Sequence, residues 1–188
     1  MKRLIVTTPL VIILVLSGAI GASGSTLSKE LLSHKQLPTW SIYGVAASRL
    51  ARCPESSFQL TKSGTEVREF FAQTRTETLF AEKLVTSSDP EEAYATAVSK
   101  TAKCPAATTI NGNATFQRIK PLNLGGFGVT VRAFSLYAVV GGAAVTGCVA
   151  YARKGHTVLE VAELSMGSIN ERAFKSELAL ALANVRSL

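Results

Sequence analysis

Few residues in this sequence have the types and spacings that catalysis requires. The chain has 188 residues, with two histidines, His34 and His156, and a single aspartate, Asp89. It contains no HExxH, CxxC or GxSxG pattern, so it offers no zinc-protease pair, no redox dithiol and no nucleophile elbow. A hydrolase that uses His156 and a serine is the enzyme hypothesis that these residues allow. We disfavour it because no group that would orient the histidine is visible.

The other polar candidates have structural interpretations. His156 follows Lys154-Gly155, so we expect it in a solvated turn. Glu160 and Glu163 are separated by an odd number of positions, which in a strand places them on opposite faces, and we expect both at the surface. Gly125-Gly126-Phe127-Gly128 precedes an alternating strand, whereas a phosphate-binding loop opens a helix, so it predicts a turn. The sequence therefore predicts no catalytic residue, no metal site and no cofactor.

The three cysteines, Cys53, Cys104 and Cys148, permit a disulfide if the protein is exported. A bridge between Cys104 and Cys148 would join the end of a helix to a late strand. It would leave Cys53 as a free thiol or as the partner in an intermolecular bond. Spacing alone does not exclude the other pairings.

The N-terminus indicates export. Residues 1–24 have the form of a signal peptide: Lys2 and Arg3 are basic, residues 4–16 are mostly apolar, and small residues follow at the cleavage region. A leader that remains as an anchor is the alternative. No cysteine lies at the cleavage region, so we expect no lipid anchor. The predicted product is secreted or otherwise extracytoplasmic, and residues 25–188 suit one domain.

The net charge of +7 does not by itself indicate nucleic-acid binding. The basic residues are scattered and no aromatic residues interleave with them, as a stacking platform for bases would require. A solvated basic surface is the favoured interpretation. Peripheral association with anionic lipids or cell-wall polymers stays compatible with this charge.

Two helices are well marked. Asp89 can cap the first, with Pro90 in its first turn and Glu92 at the capping-box position, and Cys104-Pro105 would end it. Ser168 and Glu171 form a second capping-box pair. An apolar stripe at helical spacing follows that pair, made of Phe174, Leu178, Ala181, Leu182 and Val185.

The stretches that alternate in polarity predict strands. Residues 66–85 alternate, and residues 108–164 form a run of strands separated by glycine-containing turns. A slip of phase at Ala133-Phe134 predicts a β-bulge. Together these elements predict an α+β fold of two layers, with the helices on one face of an antiparallel sheet.

The ordered motifs resemble a known family, the PknH-like extracellular sensor domains of actinobacterial receptor kinases, lipoproteins and secreted proteins. In chain order the motifs are Leu31-Leu32-Ser33, Leu37-Pro38-Thr39-Trp40-Ser41, Cys53-Pro54, the helix from Asp89-Pro90, Cys104-Pro105, Cys148, and Thr157-Val158-Leu159-Glu160-Val161 before a C-terminal amphipathic helix. The resemblance implies an α+β domain with an antiparallel sheet, disulfides, no catalytic residues, and a cleft for an unidentified extracellular ligand.

Two departures from the family pattern matter. Members with two disulfides have four cysteines and this chain has three, so only Cys104–Cys148 carries over by position. The chain also has no kinase domain, which puts direct signalling across a membrane in doubt.

The leading hypothesis is a secreted, non-enzymatic domain of the cell envelope that binds an apolar or amphipathic ligand between helix and sheet. Phe127, Phe134 and Tyr137 are the candidate lining residues, although a core role would suit each of them. The alternative is a module that recognises another envelope protein, in one version through Cys53.

Overall fold

A computed structural model describes residues 26–42, 66–73, 77–103, 108–110, 114–140 and 143–186. Within these ranges the chain forms eight strands, two α-helices and a short 3-10 helix. The strands are β1 (Ser41–Ile42), β2 (Glu66–Gln73), β3 (Thr78–Thr86), β4 (Thr108–Ile110), β5 (Ala114–Leu122), β6 (Val131–Val140), β7 (Ala143–Lys154) and β8 (Thr157–Ser165). The helices are α1 (Pro90–Ala102), α2 (Glu171–Asn184) and the 3-10 helix Thr26–Glu30. The predicted α+β class is confirmed.

All eight strands form one antiparallel sheet in the order β1-β2-β3-β8-β7-β6-β5-β4. The last strand, β8, lies between β3 and β7, near the middle of the sheet. The two edge strands are only two and three residues long.

The β7–β8 connection is a tight hairpin. Lys154 pairs with Thr157, so the turn consists of Gly155 and His156. Gly155 has φ 58°, a left-handed conformation that glycine adopts without steric cost. His156 is exposed, and its carbonyl oxygen accepts a hydrogen bond from the Ser87 backbone N–H at 3.2 Å. The predicted turn is confirmed.

The two helices pack on opposite faces of the sheet. Alternate residues of β7 point to opposite sides: Cys148, Ala150 and Ala152 share a core cluster with Phe174 and Leu178 of α2, while Val149 and Tyr151 share one with Tyr94 and Ala97 of α1. The predicted two-layer arrangement is therefore wrong, and the domain has three layers. Strand β7 explains the third layer. It carries an unbroken apolar run, which is typical of a strand that is buried on both faces.

The helix starts agree in part with the sequence patterns. The Oδ1 atom of Asp89 accepts a hydrogen bond from the backbone N–H of Glu92 at 2.9 Å, which confirms the predicted cap of α1. Helix α2 is capped by Asn170, whose Oδ1 accepts from the backbone N–H groups of Arg172 and Ala173. The predicted cap at Ser168 is wrong, because a cap directly precedes the first helical residue and α2 begins at Glu171.

The irregularity in the sheet lies elsewhere than predicted. Strand β6 pairs with β7 without interruption through Ala133 and Phe134. The register shifts instead in β5, between Phe116 and Arg118. The two adjacent apolar residues of β6 do not mark a bulge, because Ala133 packs on the α2 side and Phe134 on the α1 side.

An N-terminal segment (residues 26–40) completes the layer that contains α2. It places Leu27, Leu31, Leu32, Leu37 and Trp40 in the core cluster on that face. Apart from its five-residue 3-10 helix it has no regular structure, so side chains hold it in position. This segment and α2 together enclose the candidate site described below.

Candidate functional site

The residues that the sequence singled out for chemistry have structural roles or lie outside the described residues. Asp89 caps α1 and His156 occupies the β7–β8 turn. His34 is exposed in the N-terminal segment. The predicted leader, Cys53 and Cys104 are outside the described ranges. The described members of this set do not come together in one site.

The three aromatic candidates are not brought together. Phe134 is buried on the α1 side of the sheet. Tyr137 is exposed and, three positions along the same strand, lies on the opposite face. Phe127 belongs to the loop between β5 and β6, packs against the core on the α2 side, and has the Lys175 Nζ atom 5.6 Å from its ring centroid. These three side chains therefore cannot line one cleft, and a binding role for any one of them stays a prediction.

Cys148 is a free, buried thiol, so the structure does not form the predicted bridge to Cys104. Its side chain packs with α2, on the face opposite to α1. A link from the end of α1 to Cys148 would have to cross the sheet. The sequence could not reveal this conflict, because it depends on which helix covers which face.

Cys148 should resist alkylation in the folded protein. It is 2% exposed, and burial, together with the nearby carboxylates of Glu163 and Glu171, raises its pKa to about 12. Since the thiolate is the nucleophile, iodoacetamide should label it about a thousandfold more slowly than an unfolded cysteine near pH 8. Peptide mass mapping after timed labelling, with and without guanidinium chloride, measures this. Rapid labelling of the native chain, or a Cys148 peptide disulfide-linked to another, would contradict the expectation.

The most unusual polar feature is a pair of buried carboxyl groups beneath α2. Glu163 projects from β8 and Glu177 from α2, and their side chains are 6% and 9% exposed. The two carboxyl groups share a hydrogen bond, and the Glu177 Oε1 atom also accepts one from Trp40 Nε1 at 3.2 Å. The Oε2 atom of each carboxyl group is buried without a hydrogen-bond partner.

Burial raises the pKa of both groups. The pKa of Glu163 is raised to about 7, mainly by desolvation. The pKa of Glu177 is raised to about 8 by desolvation and by the negative charge of Glu163. The hydrogen bond from Trp40 lowers this pKa. Two carboxylates in contact in a nonpolar site cannot both ionise readily, so near neutral pH the pair shares a proton.

Only Glu163 of this pair was singled out by the sequence pattern, and it was predicted at the surface. The odd spacing of Glu160 and Glu163 correctly puts them on opposite faces, but Glu163 is buried and not at the surface. Glu177 was overlooked. Its position carries a signal, because it lies three residues after Phe174 and four before Ala181, within the apolar stripe of α2.

A second feature is a row of leucines on the α1 face of the sheet, of which Leu136 also packs against the core cluster that contains Tyr94 and Ala97 of α1. The row consists of Leu79 on β3, Leu164 on β8 and Leu136 on β6. Gly147 of β7 is the register partner of both Leu164 and Leu136, so it lies between them. A Cβ atom at Gly147 would come within 2.5 Å of Leu164 Cδ2 and 3.5 Å of Leu136 Cδ1. The side chains of Leu164 and Leu136 therefore occupy the space above Gly147. All three are partly exposed, and we call them the leucine row.

Within the described ranges, no group of three or more histidine, cysteine, aspartate or glutamate side chains is arranged to hold a metal ion. No helix among the same residues has the length and apolar character needed to cross a membrane.

Comparison with known proteins finds similar solved structures. No protein-family model and no curated protein matches the chain. It is similar to an uncharacterized protein (Rv0999 ortholog) from Mycobacterium smegmatis, with a TM-score of 0.47, 10% identity and 68% of each chain covered. It is also similar to the extracellular domain of PknH from Mycobacterium tuberculosis, with a TM-score of 0.47, 12% identity, and 70% of this chain and 74% of that chain covered. A likeness of this extent assigns no ligand and no residue role to this chain.

Proposed function

We propose that this chain is an extracytoplasmic, non-enzymatic, sensor-like domain that binds an apolar or amphipathic molecule of the cell envelope. The observation that carries the proposal is the leucine row. The predicted leader at residues 1–24 supports the location, because it would deliver the domain to the compartment that holds such molecules.

The leucine row has the shape that a linear apolar group needs. Its members lie on neighbouring strands in direct register, so the row runs across four strands, or roughly 14 Å at the usual strand spacing. The glycine in the row lets the flanking leucine side chains approach the backbone. Partly exposed leucines in a continuous row gain free energy when an acyl chain covers them.

The carboxyl groups of the described residues do not support a catalytic role. The Glu163–Glu177 pair, the group with the most strongly raised carboxyl pKa values, lies under α2 where a substrate in solution does not reach it. Catalysis requires contact with the reacting atoms. The carboxylate of Asp89 is engaged by the backbone at the start of α1.

Binding can be tested with vesicles of anionic phospholipid and with native mass spectrometry of the purified protein. Leu164→Ser and Leu136→Ser should each weaken vesicle binding about tenfold, since each removes roughly 1–2 kcal/mol of apolar contact. Leu180→Ser is the matched control, because Leu180 is exposed on α2, on the other side of the sheet. Equal binding by all three variants and the wild type, with no bound mass detected, would exclude this function.

A protein partner is the second candidate, favoured by the exposure of Tyr137. This side chain is 36% exposed on β6, and tyrosine is enriched in protein interfaces. Cross-linking in envelope extracts should then yield a discrete partner that Tyr137→Ser loses and Leu164→Ser keeps. The reverse pattern would favour the leucine row.

A further inference from the structure

Acidic and basic residues are segregated between the two halves of the sheet. All 13 aspartates and glutamates lie outside residues 93–159, a span that includes β4, β5, β6 and β7. In the other half, the strands β2, β3 and β8 all carry glutamates. The half formed by β7, β6, β5 and β4 is therefore basic. The basic residues of the span are Lys100, Lys103, Arg118, Lys120, Arg132, Arg153 and Lys154.

One of these charges, that of Lys120 on β5, is available to a ligand. Two of the other basic residues are engaged within the fold. Arg153 Nη2 lies 2.7 Å from Glu91 Oε2, and Lys154 Nζ donates to the carbonyl oxygen of Leu182 at 3.0 Å. The Lys120 side chain is exposed, and its ammonium group forms no hydrogen bond or ion pair with another described residue.

Lys120 belongs to a solvent-exposed part of the sheet beside α2. It pairs with Ser135 in the register of β5 and β6, and Tyr137 follows Ser135 on the same face. This face carries α2, because Ser135 pairs with Cys148, which packs with that helix. Tyr137 is 36% exposed. We call Lys120, Ser135 and Tyr137 the β5–β6 surface.

The charges around the β5–β6 surface are mostly basic. Arg118 occupies the register position opposite Tyr137, and Lys175 of α2 lies against the loop that follows β5. Glu171, in the first turn of α2, is the acidic exception, since its charge acts on Cys148 beneath the helix. Charges of one sign that the fold holds together attract ligands of the opposite sign.

The shape and composition of this surface favour a linear ligand over a membrane or a protein. Helix α2 packs over β7 and β8, so it rises roughly 10 Å above the neighbouring sheet, and a flat bilayer would touch it first. The core of a protein interface is apolar and depleted of lysine. The β5–β6 surface instead presents one aromatic ring among polar groups. An acidic sugar polymer can lie beside α2 and use both the ring and the positive charge.

We infer that the β5–β6 surface binds an anionic polysaccharide of the cell envelope, with a sugar ring on the Tyr137 side chain and a carboxylate or phosphate group beside Lys120. Diagonal neighbours on one face of a strand pair lie roughly 7–8 Å apart, so one ligand can touch both side chains. The apolar face of the sugar ring packs on the face of the tyrosine ring. This site is independent of the leucine row, which lies on the other face of the sheet.

Affinity capillary electrophoresis of the mature chain with acidic polysaccharides tests the inference. The protein should bind polygalacturonate, which carries carboxylates, or phosphomannan, which carries phosphates, and the tighter of the two identifies the acidic group. The affinity should fall about tenfold between about 20 and about 300 mM salt, because salt screens exposed charges. Neutral dextran should not bind. Failure to bind either acidic polymer, or equal binding of dextran, would overturn the inference.

Variants separate this surface from the net charge of the protein. Lys120→Gln should weaken binding about threefold and Tyr137→Ala about tenfold. Both side chains are exposed, so both variants should stay folded. Glu171→Gln should strengthen binding about twofold, because it removes the acidic exception. Lys35→Gln is the matched control: it removes the same charge from the exposed part of the N-terminal segment, and an equal loss there would overturn the inference.

Two further results would assign the surface to another partner and overturn the inference. One is binding to vesicles of anionic phospholipid that Lys120→Gln abolishes, without binding to either acidic polymer. The other is a cross-linked protein that Tyr137→Ser loses, again without polymer binding. Leu164→Ser, which tests the leucine row, should leave polysaccharide binding unchanged, so the two sites can fail separately.

Discussion

The free energy of unfolding is expected to fall by roughly 5–8 kcal/mol as the pH rises from about 4.5 to about 8. The folded chain keeps one or both protons of the Glu163–Glu177 pair over this range, whereas unfolded glutamates, with pKa values near 4.5, have lost theirs. Each pH unit over which the folded state holds one extra proton contributes about 1.4 kcal/mol to this change. Urea denaturation at a series of pH values measures it.

Glu177→Gln should flatten this profile and make the protein more stable than the wild type at about pH 8. The amide cannot ionise. Its N–H group can donate a hydrogen bond to the remaining carboxylate, Glu163, and this hydrogen bond replaces the shared proton. Glu171→Gln controls for loss of a negative charge in α2, and should change stability by less than about 1 kcal/mol without altering the slope. An unaltered slope in Glu177→Gln would mean that the pair does not hold the extra proton.

Phe80→Ala should cost about 3–5 kcal/mol of unfolding free energy, the range for loss of a fully buried aromatic side chain. Phe80 is 0% exposed. Its ring lies between those of Trp40 and Phe71, at 5.7 and 5.9 Å between centroids. Its removal would leave a cavity between the sheet and the N-terminal segment, which has little regular structure with which to close it.

The matched control for this change is Leu180→Ala. Leu180 is 39% exposed, so its truncation should alter stability by no more than about 0.5 kcal/mol. Phe80→Leu, which refills most of the volume, should cost less than Phe80→Ala. A loss below about 1 kcal/mol in Phe80→Ala would show that the N-terminal segment does not pack on the sheet as described.

Local sequence patterns predicted the elements well because their causes are local. The cap at Asp89 and the turn at Gly155 depend on hydrogen bonds and backbone angles within a few residues. The opposite orientation of Glu160 and Glu163 follows from the two-residue period of a strand. Such features need no knowledge of the neighbouring strands.

Apart from the cap of α2, which lies at Asn170 and not at Ser168, the misplaced predictions concern which side chains share a face of the sheet. Cys148 and Val149 are adjacent in sequence but belong to different layers, so the sequence could not decide whether a cysteine near the end of α1 reaches Cys148. The candidate aromatics Phe134 and Tyr137 were separated in the same way. The adjacent apolar residues Ala133 and Phe134 suggested a bulge only because burial on both faces was not foreseen.

The sequence by itself therefore determined an α+β chain with a leader-like start, two capped or cappable helices, glycine turns and no recognisable catalytic motif. Only the tertiary structure decided that the helices cover opposite faces, that Glu177 meets Glu163 under Trp40, and that Leu79, Leu164 and Leu136 form a row around Gly147. The physical reason is distance along the chain. Trp40 and Glu177 are 137 residues apart, and no local propensity specifies which distant side chains desolvate a carboxyl group.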